Sequence, residues 1–140
     1  MKWYKKSIQV ESKGKGLYPI TDQISQVLKS WSARDGMCYL FIAHTSASLV
    51  INESYDPSAR QDMEKFLETL APEGEPWYQH TMEGKDDSPS HLRSMITQTS
   101  LSIPVDGGAL SLGTWQGIYL FEHRVQHQER NILIRYLEVV

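Results

Sequence analysis

Residues 3–10 alternate, with Tyr4, Lys6, Ile8 and Val10 on one side, a pattern that predicts a half-buried strand. After the turn Gly14-Lys15-Gly16, the apolar residues Ile20, Ile24, Val27, Leu28 and Trp31 recur at helical spacing. Thr21 and Asp22 stand where they can satisfy the free amides of a first turn, and Gly36 is the expected stop after Ala33-Arg34-Asp35. Met37 to Ala43 is continuously apolar, rich in strand formers and too short for a helix, so it reads as a central strand buried on both faces. Asp56-Pro57-Ser58 has the form of an N-cap with proline at the first helical position. It opens a second helix with the stripe Met63, Phe66, Leu67 and Leu70, which Pro72 and Gly74 end.

Ala71 to Pro89 is the one long stretch without periodicity, and loops of this length in compact domains are usually functional or disordered. Its content of Trp77, Tyr78, His80, Asp86 and Asp87 argues against idle disorder. A short helix from about His91 to Ile96 follows, then a strand from Leu101 to Val105 and the turn Asp106-Gly107-Gly108. Leu110 to Trp115, Ile118 to His123 and Ile132 to Val139 read as further strands. With no internal repeat or linker, the pattern predicts a single domain over residues 1–140, of α+β class.

Composition narrows the function. The 140 residues are 40% hydrophobic and 22% charged, with a net charge of -3, so neither nucleic acid nor a membrane is an expected partner. Cys38 is the only cysteine, which excludes an intrachain disulfide and a thiolate-rich zinc site and leaves it as a small hydrophobe in a buried run. The basic residues among 1–6 lead into no apolar segment, and no stretch has bilayer length; a cytoplasmic protein is expected.

Three segments carry chemistry. In His44-Thr45-Ser46-Ala47-Ser48-Leu49-Val50-Ile51-Asn52-Glu53 an apolar strand signal carries an imidazole, hydroxyls, an amide and a carboxylate, each costly to bury without a partner. A wall of a site and a turn satisfied by its own hydroxyls are equally open readings. His80, Asp86, Asp87 and His91 form the second group. Imidazoles there suit zinc or acid-base work and carboxylates suit magnesium, while a helix cap accounts for one aspartate but not for two histidines. The third runs from Leu110 to Arg124, where Gly113 and Gly117 flank Thr114, Trp115 and Gln116. That segment is either a pocket wall or a hairpin with a core tryptophan, and Arg124 either holds phosphate or carboxylate or is solvated. No P-loop, nucleophile elbow or dinucleotide fingerprint is present.

Taken in order, His44-Thr45-Ser46-Ala47-Ser48-Leu49 with Asn52-Glu53, His80 with Gly84-x-Asp86-Asp87 and His91, and Leu110-x-Leu112-Gly113-Thr114-Trp115-Gln116 closely resemble the YjbQ-like family, also called secondary thiamine-phosphate synthase enzymes. The resemblance implies a mostly antiparallel sheet or sandwich with two or three inserted helices, a homotrimer with its site between subunits, and weak thiamine-phosphate synthase activity on a phosphorylated metabolite. It further implies that His44, Glu53, His80, Asp86, Asp87 and His91 are catalytic. Thr45, Ser46, Ser48, Asn52, Thr114, Trp115, Gln116 and Arg124 would bind substrate, with Trp115 closing the pocket. A divalent metal, magnesium or zinc, is expected. Asp86 and Asp87 would recruit the divalent ion, whereas zinc held by His44, His80 and His91 would make the chain a hydrolase. A non-catalytic trimer that binds a phosphorylated metabolite is the remaining alternative. Ser88 and Ser90 depart from the family pattern, and residues 124–130 match it loosely, so no role passes to His127 or Glu129.

Overall fold

The computed structural model describes residues 1–139. Its elements in chain order are β1 (Lys2–Ser12), β2 (Gly16–Pro19), α1 (Thr21–Ser30), β3 (Gly36–Ile42), β4 (Ala47–Glu53), α2 (Pro57–Leu70), α3 (Asp87–Ile96), β5 (Ser100–Asp106), β6 (Ala109–Leu110), β7 (Gln116–Glu122) and β8 (Gln128–Glu138). They build two sheets, β1-β8-β3-β5-β6 and β2-β7-β4, and every strand pairing is antiparallel. The α+β expectation of a largely antiparallel fold with two or three helices is met, with three helices formed.

The main core lies between the sheets. Leu40 and Ile42 of β3, Ile132 and Ile134 of β8, Leu49 of β4, Ile118 and Leu120 of β7, and Ile24 and Leu28 of α1 are all essentially inaccessible there. A second apolar layer, formed by Tyr119 and Phe121 on the other side of β7 with Leu17 and Leu67, packs α2 beneath the smaller sheet. Successive side chains on a strand point to opposite faces, so β7 is the strand buried on both sides. The apolar pattern of the sequence assigns that place to Met37–Ala43 instead. In β3, Cys38, Leu40 and Ile42 face the core while Tyr39 and Phe41 are exposed, because no element among the described residues covers the outer face of the five-stranded sheet. Burial pushes the Cys38 thiol up to about 12, consistent with its reading as a small hydrophobe.

Local signals were met unevenly. Asp56 caps α2, its carboxylate accepting from the Ser58 amide at 2.9 Å. Helix α1 ends earlier than expected, at Ser30, because Ser32 adopts a left-handed conformation and the Ala33 amide turns back onto the Leu28 carbonyl. Gly36 is therefore no helix stop; it begins β3. Helix α3 starts at Asp87 instead of His91, and the strand expected over Leu110–Trp115 stops at Leu110. The following residues form a turn in which the Gly113 amide donates to Gln116 Oε1 and the Gln116 amide to the Gly113 carbonyl.

Gly36 is needed for close approach. A Cβ there would overlap the Leu137 carbonyl oxygen, on a strand held from both sides by β5 and β8. Gly36→Ala is expected to lower the unfolding free energy by about 1–3 kcal/mol, as other overpacked positions do. Urea unfolding measures this, and wild-type stability would show that β8 can withdraw freely.

Candidate functional site

Helix α3 places Asp87 and His91 one turn apart on a single face, and the preceding loop brings His80 to them. The His80 Nε2 donates to Asp87 Oδ2 at 2.6 Å, and His91 Nε2 lies 3.2 Å from the same oxygen. The other oxygen, Oδ1, accepts from Arg124 at 2.6 Å. The Asp87 side chain is 3% exposed whereas those of His80 and His91 are 52% and 36% exposed, so the cluster has a closed acidic floor and an open imidazole rim.

His91 faces acceptors on both sides. Its Nδ1 lies 2.9 Å from the Thr45 carbonyl, which requires a hydrogen on Nδ1, and its Nε2 faces a carboxylate. This arrangement calls either for a hydrogen on both nitrogens or for a cation between Nε2 and Oδ2. A backbone carbonyl on the far nitrogen is also how metal-ligating histidines are commonly oriented. One ligand atom each from His80, Asp87 and His91 lies within 4.8 Å of the other two, a group able to hold a metal ion.

Asp86 does not cap α3 with its side chain. Its Oδ2 accepts from Arg124 Nε at 2.9 Å and from the Val125 amide at 2.8 Å. Burial alone would raise its pKa, but these hydrogen bonds and the guanidinium charge outweigh burial and hold it below the usual carboxylate range. Arg124 is fully engaged, with Nε on Asp86, one terminal nitrogen on Asp87 and the other on the Glu83 carbonyl at 3.1 Å. Within the chain it orients the two acids.

The expected three-histidine arrangement is corrected. His44 lines a groove of about 460 Å³ together with Thr45, His91, Ser94, Met95 and Thr99, but it is not one of the three clustered ligands. Its Nε2 accepts the Asn131 amide at 2.7 Å and its Nδ1 faces Arg130 at 3.4 Å. Burial first, and then the Arg130 charge against an opposing effect of Glu122, lowers its pKa. Asp87 takes the place in the cluster that was expected for His44.

Ser46 and Ser48 turn inward. The Ser46 hydroxyl accepts from Arg130 at 2.9 Å, and the Ser48 hydroxyl pairs with His123 Nε2 at 2.9 Å. Glu53 and Asn52 stand at the opposite end of β4, roughly 20 Å from Ala47 by strand rise. There Glu53 accepts from the Tyr55 and Asp56 amides, and Asn52 Oδ1 from the Glu53 amide. Thr114, Trp115 and Gln116 share that end, since Gln116 pairs with Glu53. Trp115 is exposed and meets Tyr55 edge to face at 5.0 Å. Within one chain these residues therefore do not close the groove beside His91.

Sequence reasoning missed Glu122, His123 and Arg130, which are buried between the sheets. The charged and polar residues that end the apolar run Ile118–Phe121 were the available signal.

With the geometry in place, comparison shows its kin. The family described as "UPF0047 protein YjbQ-like" matches residues 6–139, and the chain belongs to this family. It is 43% identical over 133 residues to the UPF0047 protein YjbQ of Escherichia coli O157:H7, covering 94% of this chain and 95% of that one. To a UPF0047 protein of Synechocystis it is 41% identical over 125 residues, 89% of this chain and 85% of the relative. Among solved structures, a YbjQ-like protein of unknown function from Sulfolobus solfataricus P2 superposes with a TM-score of 0.89 at 28% identity, covering 99% of both chains. A conserved hypothetical protein of Thermus thermophilus gives 0.85 at 32% identity, over 94% of this chain and 99% of that one. Among the described residues no helix is long and apolar enough to cross a membrane.

His123 makes the fold sensitive to acid. Its pKa is pushed down to about 3, first by burial and then by the charges of Arg93, Arg130 and Lys15. The unfolded imidazole titrates near 6.5. Between those values the unfolded chain binds a proton that the folded chain refuses. Stability is thus fully present above the unfolded value and falls as pH drops through the window, by up to about 1.4 kcal/mol per pH unit. Urea unfolding between about pH 7 and pH 4 is expected to show a shallower acid loss for His123→Gln than for wild type. Parallel curves would assign the acid sensitivity to other groups.

Proposed function

We propose that the chain is a small-molecule enzyme acting on a phosphorylated metabolite, with the His80–Asp87–His91 cluster as its reacting centre and a divalent metal ion as its cofactor. The observation that carries this reading is the meeting of two imidazoles on one buried carboxylate whose other oxygen is occupied by Arg124. Two nitrogens and one oxygen suit zinc and related ions better than magnesium, which takes oxygen ligands. When bound, such an ion would supply Lewis acidity toward a phosphoryl oxygen or an activated water.

The chain's own groups do the rest. Arg124 orients Asp87, the Thr45 carbonyl orients His91, and the groove beside them offers Met95 and threonine methyl groups to the ring of a substrate. The reaction implied by family resemblance is thiamine phosphate formation. The thiazole nitrogen lone pair forms a C–N bond to the methylene carbon of hydroxymethylpyrimidine diphosphate. The C–O bond to pyrophosphate breaks, and pyrophosphate leaves with that electron pair. A metal ion held by His80, Asp87 and His91 would supply positive charge toward the departing pyrophosphate. We take the assembly to be a homotrimer, in which Glu53 and Thr114, Trp115 and Gln116 of one subunit approach the groove of another; the exposed Tyr55–Trp115 pair supports this. A zinc-dependent hydrolase is the second reading, favoured by the same ligand set, which is that of hydrolytic zinc sites.

Protein purified without added metal is expected to carry close to one equivalent of a transition metal per chain by elemental analysis, and Asp87→Asn to lose both the metal and turnover. Arg124→Gln should weaken metal affinity by about 10–100-fold, the usual effect of losing an outer partner. Assays with hydroxymethylpyrimidine diphosphate and thiazole phosphate separate the two reactions. Pyrophosphate release without thiamine phosphate identifies hydrolysis, and an Asp87→Asn variant with wild-type metal content and rate overturns the site.

A further inference from the structure

Helix α3 carries a second charged group on the side turned away from Asp87 and His91. Arg93 is 4% exposed, and its Nε and one terminal nitrogen both donate to the Ala71 carbonyl, at 3.2 and 2.9 Å. It thus caps the C-terminal end of α2, where a cation is favoured. Its other terminal nitrogen makes no hydrogen bond, and no carboxylate comes within 4.0 Å of the guanidinium, among the described residues. Glu68, Glu73 and Asp86 act on the Arg93 charge only from longer range, and an anion in direct contact compensates the burial of a cation more fully.

The space for one is present. Arg93 lines a cavity of about 300 Å³ with Lys15, Glu68, Pro72 and Glu73. Lys15 belongs to the turn Gly14-Lys15-Gly16 and holds Glu73 at 3.2 Å, in a pair whose side chains are 27% and 37% exposed. Exposed pairs of this kind are weak and readily exchanged. Glu68 is exposed at the rim.

We propose that this cavity is a binding site for a small oxyanion of the phosphate class, held by the Arg93 guanidinium from below and the Lys15 ammonium from the rim, with Glu73 the group displaced from Lys15. The guanidinium presents fixed, planar donors that match tetrahedral oxyanions, and lysine supplies a mobile point charge. The site is separate from the His80–Asp87–His91 cluster and does not depend on the function proposed for it.

Inorganic phosphate titrated into the full chain, with the Arg93 Nε–H signal followed by ¹H–¹⁵N NMR and assigned by its loss in Arg93→Lys, tests this. A saturable shift is expected. Lys15→Met should weaken phosphate binding by about tenfold, as loss of one charge-assisted contact would. Glu73→Gln should tighten it, and Asp87→Asn should leave it unchanged. Should Arg93→Lys fail to fold, thermal shifts with phosphate on the Lys15 and Glu73 variants still have to move in opposite directions. A signal that never saturates, equal affinity in Lys15→Met, or loss of binding in Asp87→Asn would overturn the proposal, the last by placing phosphate at the histidine cluster.

Discussion

The ion pair between Glu122 and Arg130 joins the two halves of this fold. Glu122 ends β7 in the smaller sheet and Arg130 lies on β8 in the larger one, and they are 0% and 4% exposed. A buried pair offsets its desolvation only when the remaining donors and acceptors are also satisfied, and here they are. One Glu122 oxygen accepts from Ser12 at 2.6 Å and from Arg130 at 2.7 Å, while the other takes the His123 and Arg124 amides at 3.0 Å each together with a second Arg130 nitrogen. Arg130 then reaches the Ser46 hydroxyl and faces His44. A single carboxylate and a single guanidinium thus tie β7 and the turn before β4 to the paired strands β1 and β8.

That constraint sets the candidate site at one remove. Because the Arg124 amide is held on Glu122, its side chain leaves the sheet in a defined direction and meets Asp86 and Asp87. Asp87 in turn gathers His80 and His91. The four histidines nearby therefore divide by environment. His44 and His123 lie among the cations of the network, and burial together with those charges lowers their pKa values and leaves them as hydrogen-bond acceptors for the Asn131 amide and the Ser48 hydroxyl. His80 and His91 face a carboxylate and serve as donors or ligands. A histidine's chemistry here follows from which member of the ion-pair network it meets, a fact of tertiary structure.

This explains which parts of the site are legible in the sequence. Local signals suffice for the Asp56 cap, the α1 stripe and the grouping of His80, Asp87 and His91, since residues 87 and 91 are neighbours on any helix. They fail for His44, whose partners Arg130 and Asn131 are more than 80 positions away in sequence. The carboxylates that Arg124 holds are not legible locally because they lie across a chain separation of 37 and 38 residues. The motif from His44 to Glu53 reads as one wall because its letters are contiguous, yet an extended strand carries its two ends far apart.

The misplacement of β3 has the same origin and points outward. Composition correctly shows apolar residues on both faces of Met37–Ala43, but hydrophobicity alone does not say whether the covering surface belongs to the same chain. Register places Trp3, Leu137, Met37 and Pro104 in one cross-strand row, and Leu133 beside Phe41 in another, on the face opposite the core. Trp3, Tyr39 and Phe41 are 53%, 38% and 48% exposed there. Contiguous apolar surface of this kind is characteristic of protein interfaces. It supports the proposed association with further copies of the chain on grounds independent of the site. A strand that is apolar on both faces and covered on one is the pattern expected when the second cover comes from another subunit.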